Sequence, residues 1–379
     1  MPDAQSLIPD PSPGGRREVR GANRPSPIYA KRSKTALIAG ASGLIGRRIA
    51  DCLENTGGWD IIRLARRPPA GTGQWIAVDL ADAADCRRKL AGLDAVTHIF
   101  HAARCDHPIE GATESVAINA AMLRNLVEVI EPMGALQHVH AVHGSKYYGH
   151  QLGPVPLPLR EDTPRARGVN YYFDQEDFLR NRSRGSTWTF TTSRPHAFCD
   201  PAVDMPRSAG LVIAVYAAIQ RELGLALDFP GGDTGYQART QFTDLALLAR
   251  AIVWMAQEPH CANQAFNVVN GDSPRWSELW IRFSSWLAVP VGVPREMSFA
   301  QYMADKGAVW DRVVRKHALR PTRLDTIVLW NYGDYQFGPH WDIRSSMDKA
   351  RALGFHDSVD SAEMFRRQFE HYRAERIIP

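Results

Sequence analysis

Between Thr35 and Leu53 an apolar run, a glycine-spaced turn and a helix-length stretch follow one another without interruption. Thr35-Ala-Leu-Ile-Ala39 has the short, continuously apolar character of a strand buried on both faces. Gly40-Ala-Ser-Gly43-Leu-Ile-Gly46 comes next, and Leu44–Leu53 reads as a helix. Glycines at this spacing allow a tight turn and close packing of helix on strand. The first N–H groups of the helix and its positive end then face a pyrophosphate. Gly40, Ser42, Gly43, Leu44, Ile45 and Gly46 are the candidate phosphate-binding residues.

The rest of the first half continues the alternation. Trp59–Ala65, Gln74–Val78, Val96–Phe100 and Gln137–Val142 read as strands, and Ala84–Leu90 and Asn119–Ile130 as helices. Such alternation implies right-handed βαβ units and a parallel sheet covered on both faces. The expected fold class is α/β: a Rossmann-type doubly wound parallel sheet with a smaller, mixed C-terminal substrate-binding lobe. The core is expected over residues 35–200, with a return strand near 240–272 (Ala265–Val269) and helices at Ala209–Leu223 and Asp244–Met255. Residues 201–240 and 273–379 are assigned to the lobe.

Residues 1–34 differ in kind. They hold six of the 25 prolines and seven basic residues against three acids, which equals the whole net charge of +4. Few large apolar side chains are present to offset the ordering entropy, so a disordered extension is expected, with a targeting segment as the alternative. The remaining residues are formally neutral and give no electrostatic reason to expect nucleic acid. No apolar run approaches the roughly 20 residues of a membrane span. Five cysteines without a Cys-x-x-Cys pair suggest free thiols, no metal site and a cytoplasmic setting, and a homodimer stays open.

The end of the second strand decides between cofactors. NAD-binding proteins of this type place an acid there for the ribose 2′-hydroxyl. Here the chain reads Leu64-Ala65-Arg66-Arg67-Pro68. Guanidinium groups bind a 2′-phosphate through charge-assisted hydrogen bonds, so NADP(H) is expected, with Arg66 the better-placed partner and Arg67 the second. Asp79 and Leu80 would lie by the adenine, and Ala102, after the fourth strand, along the cofactor.

The pattern resembles the extended short-chain dehydrogenase/reductase group, whose members normally carry Tyr-x-x-x-Lys. Tyr302-Met-Ala-Asp-Lys306 is the one match and lies far beyond the core strands, so it is read as chance. Two other stretches stand out: His143-Gly-Ser-Lys146-Tyr-Tyr-Gly149 and Asn170-Tyr-Tyr172-Phe-Asp-Gln-Glu-Asp177. Together with Arg194-Pro-His196, Val215-Tyr-Ala-Ala-Ile219, Ala265–Asp272 and Val309-Trp-Asp311 they resemble the progesterone 5β-reductase/iridoid synthase-like (PRISE) family. The chain departs from that family at His143 and Tyr147, around Tyr172, and along Gly149–Leu159, a stretch that walls the family's substrate pocket.

That resemblance implies NADPH-dependent 1,4-reduction of an enone, with hydride passing to the β-carbon and charge developing on the carbonyl oxygen. Tyr172 and Lys146 are the implied catalytic pair. The phenol stabilises the enolate, and the ammonium lowers the phenol pKa from its usual value of about 10. Lys146 and Tyr172 also join Pro195 and His196 along the nicotinamide end of the cofactor, and Tyr147, Tyr148 and Phe198 are substrate-pocket candidates. Asp174, Glu176 and Asp177 read as structural acids, and Trp276, Trp280, Trp286, Trp310, Trp330 and Trp341 mostly as core. The alternatives are an NADP-dependent carbonyl reductase, a nucleotide-sugar epimerase or dehydratase, and a non-catalytic NADP(H) sensor.

Overall fold

The computed structural model describes residues 34–106 and 114–379; the extension expected over 1–34 therefore lies, except for Lys34, outside the described residues. Seven parallel strands form one sheet: β1 (Lys34–Ala39), β2 (Trp59–Ala65), β3 (Gln74–Ala77), β4 (His98–His101), β5 (His138–Val142), β6 (Thr189–Pro195) and β7 (Gln264–Val268). Their spatial order is β7-β6-β5-β4-β1-β2-β3. Successive strands are added outward on one side from β1 to β3 and on the other from β4 onward, and between β1 and β4 doubly wound folds open a ligand crevice at the carboxyl ends of the strands.

Alternation along the strands sends side chains to two apolar layers. Ala36 and Ile38 of β1 pack with helices α1 (Leu44–Thr56) and α6 (Leu245–Gln257). Leu37 and Ala39 face the opposite layer, built on α2 (Ala83–Lys89), α3 (Val116–Ile130) and α4 (Tyr171–Arg182). A third apolar cluster is centred on α5 (Ala209–Leu223) and C-terminal aromatic residues, including Trp276, Trp280, Trp310, Phe365 and Phe369. The described residues belong to one compact unit, Ser33–Pro379.

Strand β6 was not expected from the sequence. Its segment, Thr189-Phe-Thr-Thr-Ser-Arg-Pro195, is rich in hydroxyls, yet six of the seven residues are buried. Three of its four hydroxyls, those of Thr189, Thr191 and Ser193, find partners on β5, while Thr192 Oγ1 is buried without one. His138 pairs through Nδ1 with Thr189 Oγ1 at 2.9 Å and through Nε2 with Thr191 Oγ1 at 2.9 Å. His140 pairs through Nδ1 with Thr191 Oγ1 at 2.8 Å and through Nε2 with Ser193 Oγ at 3.1 Å. A polar ladder of His138, His140, Thr189, Thr191 and Ser193 thus lies inside the sheet with its hydrogen bonds made, which offsets the cost of burying these groups.

Among the described residues no helix is long and apolar enough to cross a membrane.

Candidate functional site

The first glycine turn closes as its spacing demands. Gly40 directly follows β1 with φ +78°, and a Cβ there would stand 2.7 Å from the Ala103 backbone nitrogen, so both conformation and space select glycine. At Gly46 a Cβ would reach to 2.3 Å from the Gly40 carbonyl oxygen, which is how α1 comes so close to β1. Gly43 caps α1 in extended conformation and offers no side-chain hydrogen bond to the first N–H groups of the helix.

Beside this turn runs a cavity of about 720 Å³ lined by Gly40, Ser42, Gly43, Leu44 and Ile45 from the turn. Arg66 at the end of β2, Asp79 and Leu80 after β3, and Ala102 after β4 continue the lining. Gly46 is buried behind the turn and Arg67 stands exposed outside the lining, so Arg66 alone of the pair reaches the groove. These residues suit a dinucleotide: free N–H groups at a helix end for the phosphates, an exposed cation at the ribose position, and an apolar slot between.

A second cavity of about 220 Å³ adjoins the first and shares His143, Tyr172, Phe198 and Arg207 with it. Lys146, Pro195 and His196 line it as well. The Lys146 and Tyr172 segments, far apart in sequence, are tied together by Asn170. Its side chain accepts from the Tyr172 N–H at 3.0 Å, capping α4, and its amide donates to the Lys146 carbonyl at 3.4 Å. The close approach continues at Gly144, where a Cβ would lie 3.1 Å from the Tyr172 hydroxyl.

Tyr172 is 7% exposed, with His143 stacked on it at 4.9 Å between ring centroids and Tyr171 edge-on at 4.5 Å. Burial raises its pKa above the usual 10, against opposing influences from Tyr171 and the Arg104 guanidinium. The expectation that Lys146 lowers it needs correction. The ammonium sits 3.6 Å from Glu114 Oε1 and 5.1 Å from the centre of the Tyr335 ring, and desolvation sets the direction at the phenol. Burial likewise drives His143 well below the ordinary histidine range, so its ring is neutral near pH 7. His196, with pKa lowered to about 4 by burial, pairs through Nδ1 with Ser145 Oγ at 2.7 Å.

Two pocket candidates lie elsewhere. Tyr147 and Tyr148 sit on the 3₁₀ turn Ser145–Tyr148 and point away from both cavities into a separate aromatic cluster. Tyr148 donates to Asn267 Oδ1 at 2.7 Å, and the Arg194 guanidinium lies 3.5 Å from the Tyr147 ring centre. Residues 149–159 and the six tryptophans also line neither cavity. Tyr302 donates to Gln220 Oε1 at 2.7 Å within the C-terminal lobe. Glu176 is a buried partner of Arg194 at 2.9 Å, and Asp177 pairs with Arg165 at 2.8 Å.

Sequence reasoning missed Arg104, Glu114, Arg207, Leu329, Tyr332 and Tyr335, all of which line the second cavity. No local motif marks them, since loops and a short C-terminal helix, Trp330–Phe337, bring them in from four parts of the chain.

A parallel sheet with this order, a glycine turn and a crevice at its switch point define a Rossmann-fold dinucleotide-binding protein. Comparison narrows the class. The family model described as a PRISE-like Rossmann-fold domain matches residues 77–379, and the chain belongs to that family. It is 31% identical over 366 residues to an (S)-8-oxocitronellyl enol synthase of Nepeta cataria, covering 91% of this chain and 93% of that one. It is also 31% identical over 371 residues to a 3-oxo-Δ(4,5)-steroid 5β-reductase of Arabidopsis thaliana, with 91% and 93% covered. A solved short-chain dehydrogenase/reductase superfamily protein from Agrobacterium tumefaciens, with bound NAD, shares the fold. Its TM-score is 0.65 at 15% identity, over 90% of this chain and 97% of that one.

Proposed function

We propose that this chain is an NADPH-dependent reductase of α,β-unsaturated carbonyl compounds that saturates the C=C bond, with Tyr172 and Lys146 as its working pair. The observation that carries the reading is the placement of Tyr172: a buried phenol, kept neutral by desolvation, on the wall common to the large groove and the small cavity. Family membership and a relative named as a steroid 5β-reductase support it.

Bound in the groove, NADPH supplies the hydride. The chain's residues do the rest. Arg66 meets the 2′-phosphate, and the N–H groups around Ser42–Ile45 receive the pyrophosphate. Charge appears on the substrate's carbonyl oxygen as its β-carbon is reduced, and the Tyr172 hydroxyl donates to that oxygen. Low local polarity makes this bond strongest where it is needed. Lys146, held by Glu114, adds positive potential at the same end of the cavity. Pro195, His196 and Phe198 shape the wall and exclude water.

The test is NADPH oxidation with 2-cyclohexen-1-one, with the product identified and NADH run in parallel. Saturated ketone, preference for NADPH, and a loss of roughly 10²–10³ in kcat for Tyr172→Phe are expected. Allylic alcohol as the main product would instead assign ordinary carbonyl reduction, and unchanged turnover in Tyr172→Phe would remove the phenol from the mechanism.

A further inference from the structure

The small cavity holds more positive charge than a neutral substrate needs. Three cations line it: Arg104, Lys146 and Arg207. Two acids answer them. Arg104 takes Asp106 at 2.8 Å and shares Glu114 with Lys146, each at 3.6 Å. Although burial pushes Glu114 up, Lys146, Arg104 and Arg207 together hold its carboxyl below the usual range, so Arg207 is within electrostatic reach of this group.

Arg207 itself has no hydrogen bond or ion pair among the described residues. It lies just ahead of the Ser208 cap of α5, half-buried, with its guanidinium 5.9 Å from the centre of the Tyr332 ring. Aromatic contact offsets part of the cost of removing the cation from water but satisfies none of its five N–H donors. A planar fork of donors in a half-dry cavity matches a carboxylate, which accepts two parallel bonds. A neutral ligand would desolvate the guanidinium further and return less.

We propose that Arg207 binds a carboxylate carried by the substrate, so that the favoured substrates are oxo-enoic acids: enones with an anionic group on the side away from the reacting carbons. This rests on the enone-reductase reading for the identity of the reacting group, but the anion site is tested without turnover. The protein saturated with NADP⁺ is titrated with 4-oxopentanoate and, separately, with its methyl ester, and binding is followed by calorimetry. Neither ligand has a carbon–carbon double bond, and NADP⁺ carries no hydride for their carbonyl groups.

The acid is expected to bind at least tenfold more tightly than the ester. Arg207→Met should abolish that preference, while Arg207→Lys, which keeps the charge and loses the fork, should keep part of it. Acid binding no tighter than ester, including no binding by either, overturns the proposal. So does a preference that survives Arg207→Met in a protein whose circular dichroism and melting temperature match the parent. If Arg207→Met weakens NADPH binding and leaves the acid preference intact, the guanidinium belongs to a cofactor phosphate and the proposal fails. Reduction of 2-cyclohexen-1-one without any acid preference would sink this inference alone; acid preference without enone turnover would sink the functional reading alone.

Discussion

Acid should unfold this protein earlier than its carboxylates require, because the sheet and site bury neutral histidines. Burial lowers the pKa of His98, His101 and His196 to about 4 and that of His140 to about 3, from an ordinary 6.5. Between pH 6.5 and 4 the unfolded chain therefore binds more protons than the folded one, and stability falls as pH falls through that window. At pH 5 each ring costs about 2 kcal/mol, the free energy of protonating the unfolded imidazole while the folded one stays neutral. Four such rings come to ~8 kcal/mol, against a total stability of roughly 5–15 kcal/mol for a typical domain. Carboxylates with lowered values, such as Asp204 and Glu114, release their contribution only near and below their ordinary 3.8 and 4.5. In the interval from pH 6.5 to 5 the histidines dominate, with Glu161, raised above its ordinary 4.5 by burial, working in the opposite sense.

The assay is urea unfolding followed by tryptophan fluorescence at pH 8 and pH 5. His101 is the cleanest probe, being 1% exposed with no hydrogen-bond partner at either ring nitrogen. His101→Leu should leave stability at pH 8 within about 1 kcal/mol of the parent and reduce the loss at pH 5 by about 2 kcal/mol. A parent whose unfolding free energy changes by less than about 1 kcal/mol between the two pH values would refute the reasoning. So would a variant with the parent's slope.

Three further outcomes follow from the geometry. Arg66→Ala should raise the KM for NADPH by roughly tenfold to a hundredfold and leave that for NADH nearly unchanged, the loss of one charge-assisted contact worth about 1.5–3 kcal/mol, read from steady-state kinetics with both cofactors. Gly46→Ala forces a methyl against the Gly40 carbonyl at 2.3 Å, so NADPH binding measured by calorimetry should be lost or severely weakened. Glu176→Gln leaves Arg194, 1% exposed, without its counter-charge and should cost about 3–5 kcal/mol in urea unfolding, with Glu176→Gln/Arg194→Met recovering part of it.

The sheet and groove were legible because their signals are local. An apolar run, a glycine spacing and the absence of an acid after Leu64 each operate over a few residues, and Trp59–Ala65 came out residue for residue. Strand β6 was not legible because its apolar content is low; its burial depends on histidines some fifty positions earlier, at hydrogen-bond separations of 51 and 53 residues. The aromatic pair after Lys146 shows a different limit. On a 3₁₀ turn successive side chains radiate about 120° apart, so a motif that brings Lys146 to the cavity sends Tyr147 and Tyr148 elsewhere. Arg207 and Tyr335 carry no local mark at all, since tertiary packing of the C-terminal lobe is what brings them to the small cavity.

The same packing bears on the direction of the chemistry. A dehydrogenation or epimerisation needs the tyrosine as phenolate, to take a proton, and so needs its pKa brought down towards the working pH. Reduction of an enone needs the opposite, a phenol that still holds its proton when the oxyanion forms. Here burial raises Tyr172 above 10, and the Lys146 ammonium, which lines the same cavity, pairs with Glu114 at 3.6 Å. The groups facing the phenol are Tyr171, also raised by burial, the neutral His143, and the charges of Arg104, Glu114 and Asp106, the last two of which oppose ionisation. The kcat/KM for an enone should therefore be flat from about pH 7 to pH 9, above the acid limb set by the histidines and below ionisation of the phenol. A tenfold rise per pH unit across that range would mean that ionised Tyr172 is the active form, and the assignment of donor and base in this site would have to be reversed.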